Sequence, residues 1–352
     1  MNIKITGSGS YIPGLKVSNT DFSEHHFMNE DGSPFGYSNE IVIGKFKGIT
    51  GIEERRYAEP NIVTSDMAYL AAEKAIENSG IDLETLDYII VAHNFGDIKC
   101  GTIQSDAMPC LAARVKHKLQ IQNPKCVAFD ILFGCPGWIE GMLQAYSLIK
   151  SGMAKKCLVI GAESLSRVVD PHDRDSMIYA DGAGATIVEN TNEIGGILSH
   201  ESASYTYSEK DYLYFGKSFN SEMNPDVGYI KMHGRKIYEF ALSHVPTAMK
   251  SCLEKSGVPL EDVKKILIHQ ANEKMDEAII NRFYKLYDQK APEGIMPMSI
   301  NFLGNSSVAT IPTLFDLLVN GKLENQEIKK GDVLLFASVG AGMNINAFVY
   351  RY

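Results

Sequence analysis

The chain has 352 residues, of which 45% are hydrophobic and 22% charged, with a formal net charge of −9. This composition suits one large globular domain or two fused ones and argues against nucleic acid as a partner. No apolar stretch reaches the roughly 18 residues of a membrane span, and the six cysteines include no Cys-x-x-Cys pair, so neither a disulfide framework, a zinc site nor any other metal site is expected.

The opening residues Asn2-Ile-Lys-Ile-Thr-Gly7 read as a first strand and not as a signal peptide, which makes the cytoplasm the expected compartment. Residues 71–94 read as a helix, a Ser-Gly stop, a Leu-Glu turn and an apolar strand. Residues 127–133 are apolar or β-favouring, as a strand buried on both faces would be. Gly134 permits a sharp turn there, and Pro136 suits the first position of a helix. Ile139, Met142, Leu143 and Tyr146 then recur at helical spacing. Cys135 lies at this strand-to-helix turn. A helix N-terminus should lower its thiol pKa from about 8.5 and favour the nucleophilic thiolate.

The chain repeats itself. Residues 248–271 match residues 71–94 at a constant offset of 177, with Gly257 for Gly80 and Leu260 for Leu83. Leu303-Gly-Asn305 then matches Phe133-Gly-Cys135 at an offset of 170, followed by a second helix and strand in each half. Such a repeat predicts two α/β halves related by a pseudo-twofold axis, residues 1–185 and 186–352. The expected architecture is five layers, α-β-α-β-α, with mainly parallel sheets sharing the middle helices. Cys135 and Asn305 then occupy equivalent turns, and His269 ends the repeated strand Ile266-Leu-Ile268. All three fall at strand ends, where open α/β sheets place their sites. Basic groups that could meet an acidic partner are Arg55-Arg56, Arg235-Lys236 and the helical set Lys274, Arg282 and Lys285.

With Cys135, His269-Gln-Ala-Asn272 and Gly304-Asn-Ser-Ser-Val-Ala309, the chain resembles the β-ketoacyl-acyl-carrier-protein synthase III family of the thiolase superfamily. Thr50-Gly-Ile-Glu-Glu-Arg-Arg56, Tyr179-Ala-Asp-Gly-Ala-Gly-Ala185 and Gly340-Ala-Gly342 extend the resemblance over essentially the whole chain. It implies a thiolase-like fold and a decarboxylating Claisen condensation in fatty acid biosynthesis, with malonyl-acyl-carrier protein as one substrate and no cofactor. Cys135 would carry the acyl group. His269 and Asn305 would stabilise the enolate, and the backbone N–H groups of Cys135 and Gly342 would form the oxyanion hole. Met108 would cross a homodimer interface and limit the acyl pocket. Arg235, Lys236 and Lys274 form the expected carrier-protein patch, in which Glu239 departs from the family's basic residue.

Other departures concern the substrate. The family's Trp and Arg that sandwich the adenine of coenzyme A are replaced by Lys45 and Ile49. Priming by acetyl-coenzyme A is therefore in doubt, and a longer or carrier-bound donor is the expectation. Residues 23–40 look like an insertion over the entrance or the dimer edge. A degradative thiolase would need a second cysteine near the C-terminus, and Ser338-Val-Gly-Ala-Gly342 has none. The alternatives are a ketosynthase joining longer chains, of alkyl-resorcinol or pigment-lipid type, and a non-catalytic acyl-binding subunit.

Overall fold

The computed structural model describes residues 2–102 and 104–352. Strands β1 (Asn2–Tyr11), β2 (Tyr88–His93), β3 (Val127–Leu132), β4 (Lys156–Ser164) and β5 (Asp181–Thr191) form one sheet in the order β1-β5-β4-β2-β3. Strands β6 (Gly196–Ser204), β7 (Val263–Ile268), β8 (Val333–Gly340) and β9 (Asn344–Arg351) form the second, in the order β6-β9-β8-β7. The shared order reproduces the sequence repeat. The helices are α1 (Asn39–Thr50), α2 (Thr64–Ser79), α3 (Leu111–Lys118), α4 (Gly137–Lys150), α5 (Gly234–Ser256), α6 (Glu273–Lys285), the short α7 (Ile300–Leu303) and α8 (Thr310–Val319).

The expected five layers are present. α2 and α3 cover the outer face of the first sheet, α5 and α6 belong to the outer layer of the second, and α4 and α8 lie between the sheets. Each helical layer closes its own apolar core. The middle core is anchored by Trp138 on α4, which lies 6.0 and 6.2 Å from Phe336 and Phe348 of the second sheet, centroid to centroid. Burying such an aromatic side chain contributes about 1.5–3 kcal/mol. Its indole N–H has no partner among the described residues, which offsets part of that gain.

Two expectations are corrected. The sheets are mixed, since β2 runs parallel to β3 and β4 while β5 runs antiparallel to β1 and β4. In the second sheet only β7 and β8 are parallel. The reason is connectivity: β8 returns into β9 through the three residues Ala341–Met343, too few for a parallel crossover. The boundary expected at 185/186 falls inside β5, so the link between the two sheets comes at residues 192–195.

β3 is also an edge strand and not doubly buried. Val127 is 46% and Leu132 70% exposed. The inserted region has its own small core, in which Phe22 and Phe27 pack with Val42 and Met177 and hold Phe35 against them.

Candidate active site

Cys135 occupies the turn between β3 and α4, and Asn305 the matching turn between α7 and α8. The two turns are held in equivalent ways by the opposite half. The Asn305 N–H donates to the Ile178 carbonyl (3.0 Å), and the Ala180 N–H to the Asn305 carbonyl (2.8 Å). On the other side, a Cβ on Gly134 would stand 2.7 Å from the Ala341 nitrogen, so that segment passes directly over the Cys135 turn. His269 follows β7, and its N–H donates to the Ala337 carbonyl of β8 (2.9 Å). Cys135, His269 and Asn305 all line one cavity of about 780 Å³. The convergence that the repeat predicts is thus present.

Burial sets the chemistry of each group. The His269 ring has 3% exposure, and burial pushes its pKa down to about 4. It is neutral near pH 7 and carries one N–H to donate. Its Nδ1 has no hydrogen-bond partner among the described residues. Asn305 Oδ1 accepts the Ser307 N–H at 2.8 Å, which leaves the amide nitrogen as the donor available to the cavity. Two neutral donors therefore border the same space as the thiol.

The depressed thiol pKa expected of Cys135 is corrected. Burial pushes it up to about 11, opposed by a hydrogen bond from Ser307 Oγ (3.4 Å) and by the local backbone. The α4 N-terminus acts in the same direction as Ser307, but the surrounding protein costs the thiolate more than these groups return. Reactivity must come from donors placed at the sulfur.

The cavity lining bears on two other assignments. Gly342 is absent from the cavity lining, whereas Ala341 lines it beside Gly134 and Cys135. A Cβ on Gly134 would meet both the nitrogen and the Cβ of Ala341, so within the three-residue turn it is Ala341 that packs against the Cys135 turn. Met108 is 90% exposed and does not line this chain's own cavity. In the basic set, Arg235 borders the cavity mouth and pairs with Glu239 at 2.9 Å, while Lys236 and Lys274 are exposed outside it. Arg55 leaves the list of surface cations. It is fully buried and donates to the Met177 and Val17 carbonyls and to Asn19 Oδ1.

Lys45 and Ile49 border the mouth as expected, but an aromatic ring is present after all: the Lys45 ammonium lies 3.8 Å over Tyr37 of the inserted region. Met28, Asn29, Glu30 and Phe35 of the same region complete a wall of the cavity. Sequence reasoning also gave no role to Asn94, Glu163 and Ser307, which form a hydrogen-bonded chain from Glu163 through Asn94 to Ser307, and Ser307 alone of the three bonds to Cys135. Their signal was available, because Asn94 follows β2 and Glu163 closes β4 at the same sheet end as the nucleophile. The described residues contain no group of three or more His, Cys, Asp or Glu side chains placed to hold a metal.

A cysteine at a strand-to-helix elbow and two neutral side-chain donors, an imidazole and an amide, set across a pseudo-twofold in a five-layer α/β fold, define a thioester condensing enzyme of thiolase type. Residues 129–206 match the family model of 3-oxoacyl-[acyl-carrier-protein] synthase III, and residues 253–352 match the model of its C-terminal part. The β-ketoacyl-[acyl-carrier-protein] synthase III of Staphylococcus saprophyticus is 34% identical over 100% of this chain and 99% of its own. The solved structure of 3-oxoacyl-[acyl-carrier-protein] synthase III from Aquifex aeolicus is 31% identical, with a TM-score of 0.80 over 99% of this chain and 100% of that one. The Thermus thermophilus synthase III structure is 30% identical, with a TM-score of 0.81 over 99% and 98%. The chain belongs to the 3-oxoacyl-[acyl-carrier-protein] synthase III family.

Proposed function

We propose that this chain condenses an acyl thioester with malonyl-acyl-carrier protein, with loss of carbon dioxide, in fatty acid biosynthesis. The observation that carries the reading is the meeting of Cys135, His269 and Asn305 in one cavity of a family member. The Cys135 thiolate attacks the acyl carbonyl, and the donor's thiol leaves. The acyl group is then a thioester on Cys135. When malonyl thioester enters, its bond to the carboxylate breaks, and that electron pair becomes an enolate. His269 and Asn305 donate hydrogen bonds to the enolate oxygen, and their neutrality means no charge is lost from the site as it forms. The enolate carbon attacks the acyl carbonyl, and collapse of the tetrahedral oxyanion expels the Cys135 thiolate. The Cys135 N–H with that of Ala341, in place of Gly342, is the pair of backbone donors best placed for that oxyanion. The electrons for the new C–C bond come from decarboxylation, so the reaction balances without a cofactor.

The donor we infer is longer than acetyl or is delivered on a carrier. Lys45 over Tyr37 is a different recognition surface from a Trp–Arg sandwich. Arg235, Lys236 and Lys274 are offered as the carrier-protein contact, in the cytoplasm. A homodimer is supported by β3, an open edge with Leu132 exposed, beside the loop that presents Met108. No described helix is long and apolar enough to cross a membrane.

The test is intact-mass spectrometry after incubation with acetyl-, branched and longer acyl donors on coenzyme A and on carrier protein. One acyl adduct is expected, mapping to Cys135 and lost in Cys135→Ala. An adduct on another cysteine would sink the reading, and acetyl-coenzyme A as the best donor would sink the inference about chain length.

A further inference from the structure

The reaction leaves three inward-facing side chains at the nucleophile without a part. Glu163 is 1% exposed, and its Oε1 accepts both the Asn94 backbone N–H (2.8 Å) and the Asn94 side-chain Nδ2. The same Nδ2 donates to Ser307 Oγ at 3.1 Å. Ser307 Oγ in turn donates to Cys135 Sγ at 3.4 Å.

These bonds have a direction. Glu163 Oε1 already accepts the Asn94 backbone N–H, so whether the carboxyl is ionised or carries its proton on Oε2, it presents Oε1 as an acceptor and turns the Asn94 amide with its NH₂ group toward it. The second hydrogen of that NH₂ then points at Ser307 Oγ and occupies a lone pair. The Ser307 hydroxyl hydrogen has the sulfur left as its acceptor. Were Asn94 flipped, its Oδ1 would take the serine proton and the sulfur would lose its donor.

We propose that Glu163, Asn94 and Ser307 form a one-way hydrogen-bond relay that keeps a donor on the Cys135 sulfur, which makes them positioning residues for the nucleophile. This rests on the reading of Cys135 as the reactive thiol. The relay matters because burial raises the thiol pKa, and a donor held on the sulfur works against that by favouring the thiolate.

Glu163 also acts through its charge. Burial pushes its carboxyl up to about 8, and once ionised it repels a thiolate on Cys135. Other titratable groups face the pair. Asp181 on β5 is held by the Ala58 and Ser166 N–H groups and lies near Arg167. Tyr179 and His269 border the cavity, and His93 on β2 is paired with Asp130 at 2.9 Å. Both Asn94 donors meet one Glu163 oxygen, so a glutamine can accept them without the charge.

The relay is tested by the rate of Cys135 alkylation by iodoacetamide against pH, read by peptide mass in the full chain. Ser307→Ala and Glu163→Leu should slow alkylation at pH 8 by about tenfold and move its midpoint upward. Glu163→Gln should keep the wild-type rate or exceed it, with a lower midpoint. Far-ultraviolet circular dichroism and melting checks confirm that each variant is folded. A wild-type midpoint in folded Ser307→Ala overturns the relay, as does a Glu163→Gln that behaves like Glu163→Leu. The readout needs no substrate. A relay that passes while no acyl adduct forms on Cys135 therefore refutes only the proposed function, and an adduct with an unmoved midpoint refutes only the relay.

Discussion

Gly340→Ala should impair the nucleophile by crowding the Cys135 turn, with no reacting group removed. Gly340 ends β8 with φ −165°, ordinary extended backbone, so alanine meets no conformational penalty there. Space is the only obstacle. An alanine Cβ would lie 2.6 Å from the Cys135 nitrogen, 2.7 Å from Pro136 Cδ and 3.0 Å from Cys135 Cβ. Ordinary contact begins near 3.4 Å, so the Cys135 turn and the β8 end must part by about 0.8 Å. The obstructing atoms are backbone and a proline ring, and no flexible side chain can yield instead. Overpacking of this kind costs about 1–3 kcal/mol. It also moves the sulfur and its oxyanion donor relative to each other, and a misplacement near 1 Å costs about 10²-fold in rate. The expected result is acylation of Cys135 slowed by about 10- to 100-fold in a folded protein whose melting point falls by a few degrees. Quenched-flow intact mass measures the first and calorimetry the second. Wild-type acylation at the wild-type melting temperature would refute the close packing of the two turns.

His269→Ala and Asn305→Ala should each lower condensation by about 10²–10³-fold, since each removes one donor to the enolate. Acyl-Cys135 should still accumulate in both, and failure to acylate would place these residues in the first half-reaction instead. Leu132→Lys on the open edge of β3 should shift the chain from dimer to monomer in light scattering, and an unchanged dimer would locate the interface elsewhere. Glu163 gives a pH signature. Its folded pKa of about 8 exceeds the ordinary carboxyl value, so the native state holds a proton that the unfolded state releases. Wild type should match Glu163→Gln in stability below about pH 4.5, lose ground as pH rises, and trail by a few kcal/mol above about pH 8. Urea unfolding at pH 5 and pH 9 checks this, and a gap independent of pH would show that the carboxyl titrates normally.

The repeat made much of the site legible. A constant offset paired Cys135 with Asn305, and strand-end logic added His269, because a duplicated half must place equivalent turns at equivalent points. Gly342 entered as an oxyanion donor through the family resemblance, and only the packed turn shows that Ala341 lines the cavity. The apolar composition of β3 suggested burial on both faces, yet in a single chain that strand is an edge. Lys45 and Ile49 suggested the loss of an aromatic platform, while Tyr37, eight residues before Lys45, restores a ring over the cation. Glu163 was passed over because a lone carboxylate near the end of a strand carries no motif, and its place at the sheet end was its one signal.

The sequence by itself determined the two-half architecture and the meeting of Cys135, His269 and Asn305 at strand ends. Helix stops, apolar strands and Gly-Cys or Gly-Asn turns are local signals, and the duplication ties them together. Only the tertiary structure decided how reactive those groups are. Burial raises the Cys135 thiol and lowers the His269 imidazole, and both effects depend on which segments pack over them. The relay from Glu163 likewise joins residues 94, 163 and 307, from three separate segments, and its direction exists only once all three are in contact.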